Sequence, residues 1–134
     1  MTFSGRMIET HPTTNAIATA TLARCIDDCL SCAQACTACA DACLAEDEAA
    51  HLRRCITLCL NCASICDATA GVVSRSADLD RSLARAILDA CVTCCSLCGK
   101  ECHEHAQMGM AHCAVCEEAC RLCEEACRGL LAAL

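Results

Sequence analysis

Between Cys25 and Cys43 the chain reads CIDDCLSCAQACTACADAC, with cysteines at 25, 29, 32, 36, 39 and 43. The gaps alternate between four and three, so on an α-helix all six thiols fall on one stripe. Helices in a bundle use this spacing to fill a shared core, normally with leucine. The rhythm returns three times. It is carried by Cys55, Cys59, Cys62 and Cys66, then by Cys91, Cys95, Cys98 and Cys102 with Cys94 beside the stripe, and last by Cys113, Cys116, Cys120, Cys123 and Cys127. These four stripes use all 20 cysteines of the 134-residue chain.

The remaining residues support helices and little else. There is 1 proline, 1 aromatic residue and 5 glycines, a composition poor in strand formers. Residues 1–12 read as a mobile lead ending at Pro12, and residues 13–134 as a single domain. Thr13, Thr14 or Asn15 is expected to cap a first helix running to about Ala45. The acidic turn Glu46-Asp47-Glu48 leads into a second helix over about 48–70, with Gly71 as its stop. Asp78 is expected to cap a third helix that reaches about Glu104, with Gly99 a weak point inside it. Residues 105–110 connect to a fourth helix over about 110–131, supported by Glu117–Arg121 and Glu124–Arg128 pairs. Short connections imply an all-α, antiparallel up-down four-helix bundle with a cysteine-lined core.

The two ends of the stripes differ. Continued at core spacing past the thiols, they give Ala18, Leu22, Thr69, Val73, Ala84, Leu88, Leu130 and Leu134 at one end. That end reads as a mostly hydrophobic plug. The other end gathers His51, His103, His105, Met108, Met110 and His112 beside Cys43, Cys102 and Cys113.

Thiolates are soft ligands that select Cu(I), Zn(II) or iron–sulfur clusters. Separate four-thiolate sites would hold about five zinc ions, each site carrying a charge near −2. Two-coordinate Cu(I) on bridging thiolates gives about one ion per cysteine and a neutral interior. A narrow, dry core prefers neutrality, which favours multiple Cu(I) ions, with weaker His and Met ligands at a mouth. The spacing around Cys91–Cys102 differs from the ferredoxin run. A zinc or cadmium thiolate buffer and a dithiol redox protein are the alternatives; the redox reading lacks a βαβ context. No carboxylate pair is placed for acid–base catalysis, so no enzymatic activity is expected. The net charge of −7 disfavours nucleic acid. No apolar run is expected to span a membrane. The N-terminus has no apolar h-region or twin arginine, so a cytoplasmic location is expected.

Four helices with spacings such as Cys25-x3-Cys29-x2-Cys32 and Cys113-x2-Cys116-x3-Cys120 resemble the bacterial copper storage proteins, and the absence of a twin-arginine leader resembles their cytosolic branch. The resemblance covers nearly the whole chain. It implies a homotetramer of bundles, each storing many Cu(I) ions on its stripe cysteines. It also implies an entrance at His103, His105 and His112, with Met108 and Met110 beside them. A copper chaperone is a candidate donor. Ile26, Leu30, Leu58 and Leu97, apolar and off the stripe, are candidates for contacts between subunits.

Overall fold

The computed structural model describes residues 1–134. Five α-helices form: α1 (Phe3–Glu9), α2 (Thr19–Leu44), α3 (Arg53–Ser74), α4 (Arg81–Gln107) and α5 (Ala111–Ala133), with a 3-10 turn at Ala49–Leu52 before α3. Helices α2 to α5 are the four cysteine-bearing ones. Each packs on its neighbours in chain order, and α5 closes the ring on α2. The sulfur pairs give the directions. Between α2 and α5, Cys25, Cys32, Cys36 and Cys39 meet Cys127, Cys120, Cys116 and Cys113, one number rising as the other falls. Between α3 and α4, Cys55, Cys59, Cys62 and Cys66 meet Cys102, Cys98, Cys95 and Cys91. Across the diagonals the helices run parallel. Cys29–Cys91 and Cys36–Cys98 share a separation of 62 residues, and Cys66–Cys123 and Cys59–Cys116 one of 57. The architecture is therefore the expected antiparallel four-helix bundle.

Several boundaries move, each for a local reason. Residues 1–12, expected as a mobile lead, contain α1. Thr2 caps it by accepting from the Gly5 amide, and the Thr2 hydroxyl donates to Asp27 of α2 at 2.7 Å. The first bundle helix starts at Thr19 and not at the Thr13–Asn15 caps. Asn15 instead accepts from the Ile17 amide and reaches the Ser76 carbonyl in the α3–α4 connection. Helix α3 runs through Gly71 to Ser74 because Val73 is fully buried. Burying that side chain contributes about 1.5–3 kcal/mol, more than the roughly 1 kcal/mol that a mid-helix glycine costs. Asp80, not Asp78, caps α4, accepting from the Leu83 amide at 3.0 Å. Gly109 turns the chain between α4 and α5 at φ +91°, where a side chain would be strained. Glu117–Arg121 and Glu124–Arg128 pair as expected, at 2.6 and 2.9 Å.

The plug forms with six of its eight residues. Leu22, Thr69, Val73, Ala84, Leu88 and Leu130 are fully buried. Thr69 keeps its hydroxyl satisfied on the Ile65 carbonyl. Ala18 is exposed, because the helix begins after it, and Leu134 is half-buried at the chain end; Ile17 is buried beside the plug. Of the proposed subunit-contact residues, Ile26 is already buried within the chain, whereas Leu30 and Leu97 are exposed. Two segments, Ala49–Ser74 and Arg81–Gln107, each hold an 18-residue stretch long and apolar enough to cross a membrane, with mean hydropathy 1.6 and 1.4 over that stretch. This corrects the expectation that no such run exists. The thiols that raise those averages are turned into the bundle.

Candidate metal centre

The interior of the bundle is a column of sulfur. All 20 cysteines are buried and none is in a disulfide. Neighbouring thiols stand 3.6 to 4.0 Å apart, from Cys29–Cys123 at the short limit to Cys29–Cys91 at the long one. Each stripe places them there for the same reason: a 3-4 spacing turns every ligand to the bundle axis. Thr69 and His105 are the only buried polar or charged side chains besides the thiols. No lysine or arginine enters the column, so nothing in the protein could balance a row of thiolates.

The thiols form one continuous network rather than separate boxes. Cys32, Cys62, Cys66 and Cys95 make one group with their sulfurs within 4.8 Å of one another. Cys32 and Cys62 recur in the next group with Cys36 and Cys120, and those two recur with Cys98 and Cys116. Hydrogen bonding pulls neighbours in opposite directions. The Cys120 thiol draws Cys32 down, and Cys120 is itself driven up, foremost by Cys116. Towards the mouth, burial away from water pushes Cys43 up to about 11 and Cys113 up to about 12. Cys94 differs from the rest. Its thiol donates to the Cys91 carbonyl at 3.2 Å, in a groove shared with Leu58, Ile65 and Leu97.

The expected entrance residues separate into two sets. His112 Nδ1 lies 3.4 Å from Cys39 Sγ and 3.5 Å from Cys113 Sγ. His105 is buried at the C-terminal end of α4, and both its ring nitrogens lack a hydrogen-bond partner. Its Nε2 is 3.4 Å from Glu101 Oε1, close enough for charge attraction but not aligned for a hydrogen bond. Met110 is half-buried and packs on the core. His103 instead sits on the outer flank of α4, with Nδ1 2.7 Å from Glu117 of α5. Met108 is 71% exposed, and His51 is also exposed. So His105, His112 and Met110 are drawn in, and His103, Met108 and His51 are not.

Three histidine–carboxylate pairings at this end were not expected from the sequence. Glu46 accepts from His112 Nε2 at 3.0 Å, Glu101 stands beside His105, and Glu117 holds His103. Glu101 and His105 are four residues apart on one helix, a signal present in the sequence. The other two pairings join separate elements, the turn after α2 to α5 and α4 to α5, and had none.

The chain matches the family model described as copper storage protein over residues 18–132. It is 50% identical to a copper storage protein, Ccsp, from Streptomyces lividans, solved loaded with 10 copper equivalents. That match covers 98% of this chain and 99% of the other at a TM-score of 0.93. A second structure, of copper loading to a cytosolic copper storage protein from Streptomyces lividans with five coppers, is 56% identical. It covers 86% of this chain and 95% of the other, with a TM-score of 0.82. Among curated proteins no match is found. The sulfur column, the four cysteine stripes and these likenesses agree: the chain belongs to the copper storage protein family.

Proposed function

We propose that this protein stores Cu(I) in the cytoplasm, holding many cuprous ions on core thiolates at about one per cysteine. The observation that carries this is the sharing of thiols between successive groups in a column without cations. Sulfur spacing alone does not choose the metal, because a zinc tetrahedron with Zn–S of about 2.3 Å has edges of about 3.8 Å. Charge and count do. Closed four-thiolate zinc sites would use the thiols for about five ions, each leaving a charge near −2 in a dry interior. A monovalent ion that accepts two thiolates replaces one proton per sulfur, and the column stays neutral throughout loading.

The ligands on this reading are Cys25, Cys29, Cys32, Cys36, Cys39, Cys43, Cys55, Cys59, Cys62, Cys66, Cys91, Cys94, Cys95, Cys98, Cys102, Cys113, Cys116, Cys120, Cys123 and Cys127. Copper enters where His112, His105 and Met110 reach the column, with Met108 and His103 outside them as collecting residues. The orphaned nitrogens of His105 support this, since a buried unpaired polar group costs about 1–3 kcal/mol until a partner arrives. Residues 13–134 are the bundle domain, and residues 1–12 its N-terminal lead. The chain is not an enzyme, it works as a homotetramer, and a copper chaperone supplies it.

Titration with Cu(I) against a competing chelator tests the storage reading. Saturation near one ion per cysteine is expected; saturation at four or five would overturn it. Sedimentation of the apo and loaded protein tests the tetramer.

A further inference from the structure

The groups at the mouth and in the column are not alike. Cys39, Cys43, Cys113 and His112 hold four ligand atoms within 4.8 Å of one another, three sulfurs and one nitrogen. Cys39 and Cys113 are 3.9 Å apart, and His112 Nδ1 is 3.4 and 3.5 Å from them. A tetrahedron with Zn–S of about 2.3 Å and Zn–N of about 2.0–2.1 Å has S–S edges of about 3.8 Å and S–N edges of about 3.6 Å. The apo positions of Cys39, Cys113 and His112 therefore already approximate such a site. Behind it, Glu46 accepts from His112 Nε2 at 3.0 Å. That hydrogen bond keeps the proton on Nε2 and turns the Nδ1 lone pair towards the sulfurs. A carboxylate placed behind a ligating imidazole fixes its tautomer and raises its basicity.

We propose that Cys39, Cys43, Cys113 and His112 form a Zn(II) site at the mouth, on the outermost thiols of the copper column, with Glu46 as the positioning residue for His112. Binding releases three thiol protons, so the ion with three thiolates and a neutral imidazole carries a charge of −1. A four-thiolate group deeper in the column would carry −2 with no cation near it. The mouth group also reaches water through its imidazole: the His112 side chain is 25% exposed, whereas every ligand of the Cys32, Cys62, Cys66 and Cys95 group is at most 1% exposed. Charge and solvation both direct a divalent ion here. Softer Cu(I), which thiolates prefer, displaces it on the way in. The displacement step rests on the storage reading; the zinc site does not.

The test uses the full-length reduced apo protein with Zn(II) alone and with Co(II) as a spectroscopic stand-in. Co(II) is expected to give tetrahedral d–d bands with sulfur charge transfer that saturate at one equivalent per chain, and one equivalent of Zn(II) should bleach them. His112→Ala should abolish that spectrum, with helical circular dichroism unchanged. Glu46→Ala should weaken Zn(II) binding about tenfold, and Glu46→Gln, which can still accept from Nε2, should restore most of it. The first equivalents of Cu(I) should release the single zinc. Saturation at four or five equivalents of Co(II), or a spectrum indifferent to His112→Ala, would overturn the proposal. A high Cu(I) capacity beside an absent Co(II) signal would sink the zinc site and leave storage standing. A low Cu(I) capacity beside a one-equivalent Co(II) signal would do the reverse.

Discussion

The two ends of the sulfur column are built from opposite materials. At the closed end, Leu22, Val73, Leu88 and Leu130 are fully buried and pack as an ordinary bundle core. At the other end stand His105 with unpartnered nitrogens, His112 against two thiols, and the Glu46–Asp47–Glu48 turn. The contrast teaches where stability and traffic reside. Apolar burial gives the frame its strength away from the metal path. The mouth gives up such packing in favour of polar groups that exchange partners. A store has to take in ions without unfolding, and separating these duties along one axis allows it.

The largest expected effect breaks the plug. Leu88→Ala should destabilise the apo bundle by about 2–5 kcal/mol, because a buried leucine leaves a cavity between four helices. Urea unfolding measures it. Copper capacity should stay unchanged, since no thiol moves. A loss of capacity matching the loss of stability would show that the two ends do not divide the work.

The next comparison is inside the column. Cys36 Sγ stands within 4.0 Å of Cys32, Cys98, Cys116 and Cys120. Cys36→Ala should lower Cu(I) capacity by about two ions, because a bridging thiolate serves two metals. Cys94→Ala should lose about one ion at most, since that thiol points to a carbonyl. Equal losses would place Cys94 in the shared network.

At the mouth, His112→Ala should slow uptake of the first Cu(I) equivalents about tenfold and leave final capacity within about one ion. Stopped-flow transfer from a Cu(I)–chelator complex reads both. Alkali should act at this end as well. Cys43 and Cys113 are raised by burial from a thiol value of 9.0 to about 11 and about 12. Between those values the unfolded chain has lost these protons and the fold keeps them, so folding binds more protons. Their contribution to apo stability is complete below pH 9 and is lost as pH rises through 11 to 12. Thermal unfolding of the reduced apo protein across that range should show a falling midpoint.

How much of this was legible follows from what each feature depends on. The bundle, its direction and its sulfur column depend on a period, and a period is visible in one dimension: the 3-4 gaps from Cys25 to Cys43 place every thiol correctly. The plug followed from the same period. Helix ends depend on a competition between neighbours, so Gly71 lost to Val73, and Asp80, not Asp78, capped α4. The mouth depends on pairs that no period carries. His103 and His105 are two residues apart, so they face different sides of α4. That difference alone puts one on the flank with Glu117 and the other under the mouth. Glu46 and His112 meet only because the α2–α3 turn and the start of α5 arrive at the same end. No one-dimensional pattern encodes the register of that meeting.

The smallest effect compares the two glycines inside bundle helices. Gly71 lies towards the plug end of α3, and a Cβ there would meet only the Arg75 guanidinium at 3.6 Å. Gly99 lies on α4 towards the mouth, is buried, and its added Cβ would stand 3.4 Å from Cys120 Cβ. Both residues are helical, so alanine should recover about 1 kcal/mol of helix propensity at each site if nothing opposes it. At Gly71 nothing rigid does, and Gly71→Ala should raise apo stability by nearly that amount. At Gly99 the contact with Cys120 offsets part of the gain, and the net change should stay below about 0.5 kcal/mol. The informative measurement is the loaded state. Cys120 belongs to the shared thiol groups, so pressure on its Cβ from Gly99→Ala should reach the copper network, whereas Gly71→Ala should leave loading untouched. If both variants load like the parent, the α4–α5 contact at Gly99 sets only how closely the helices pack.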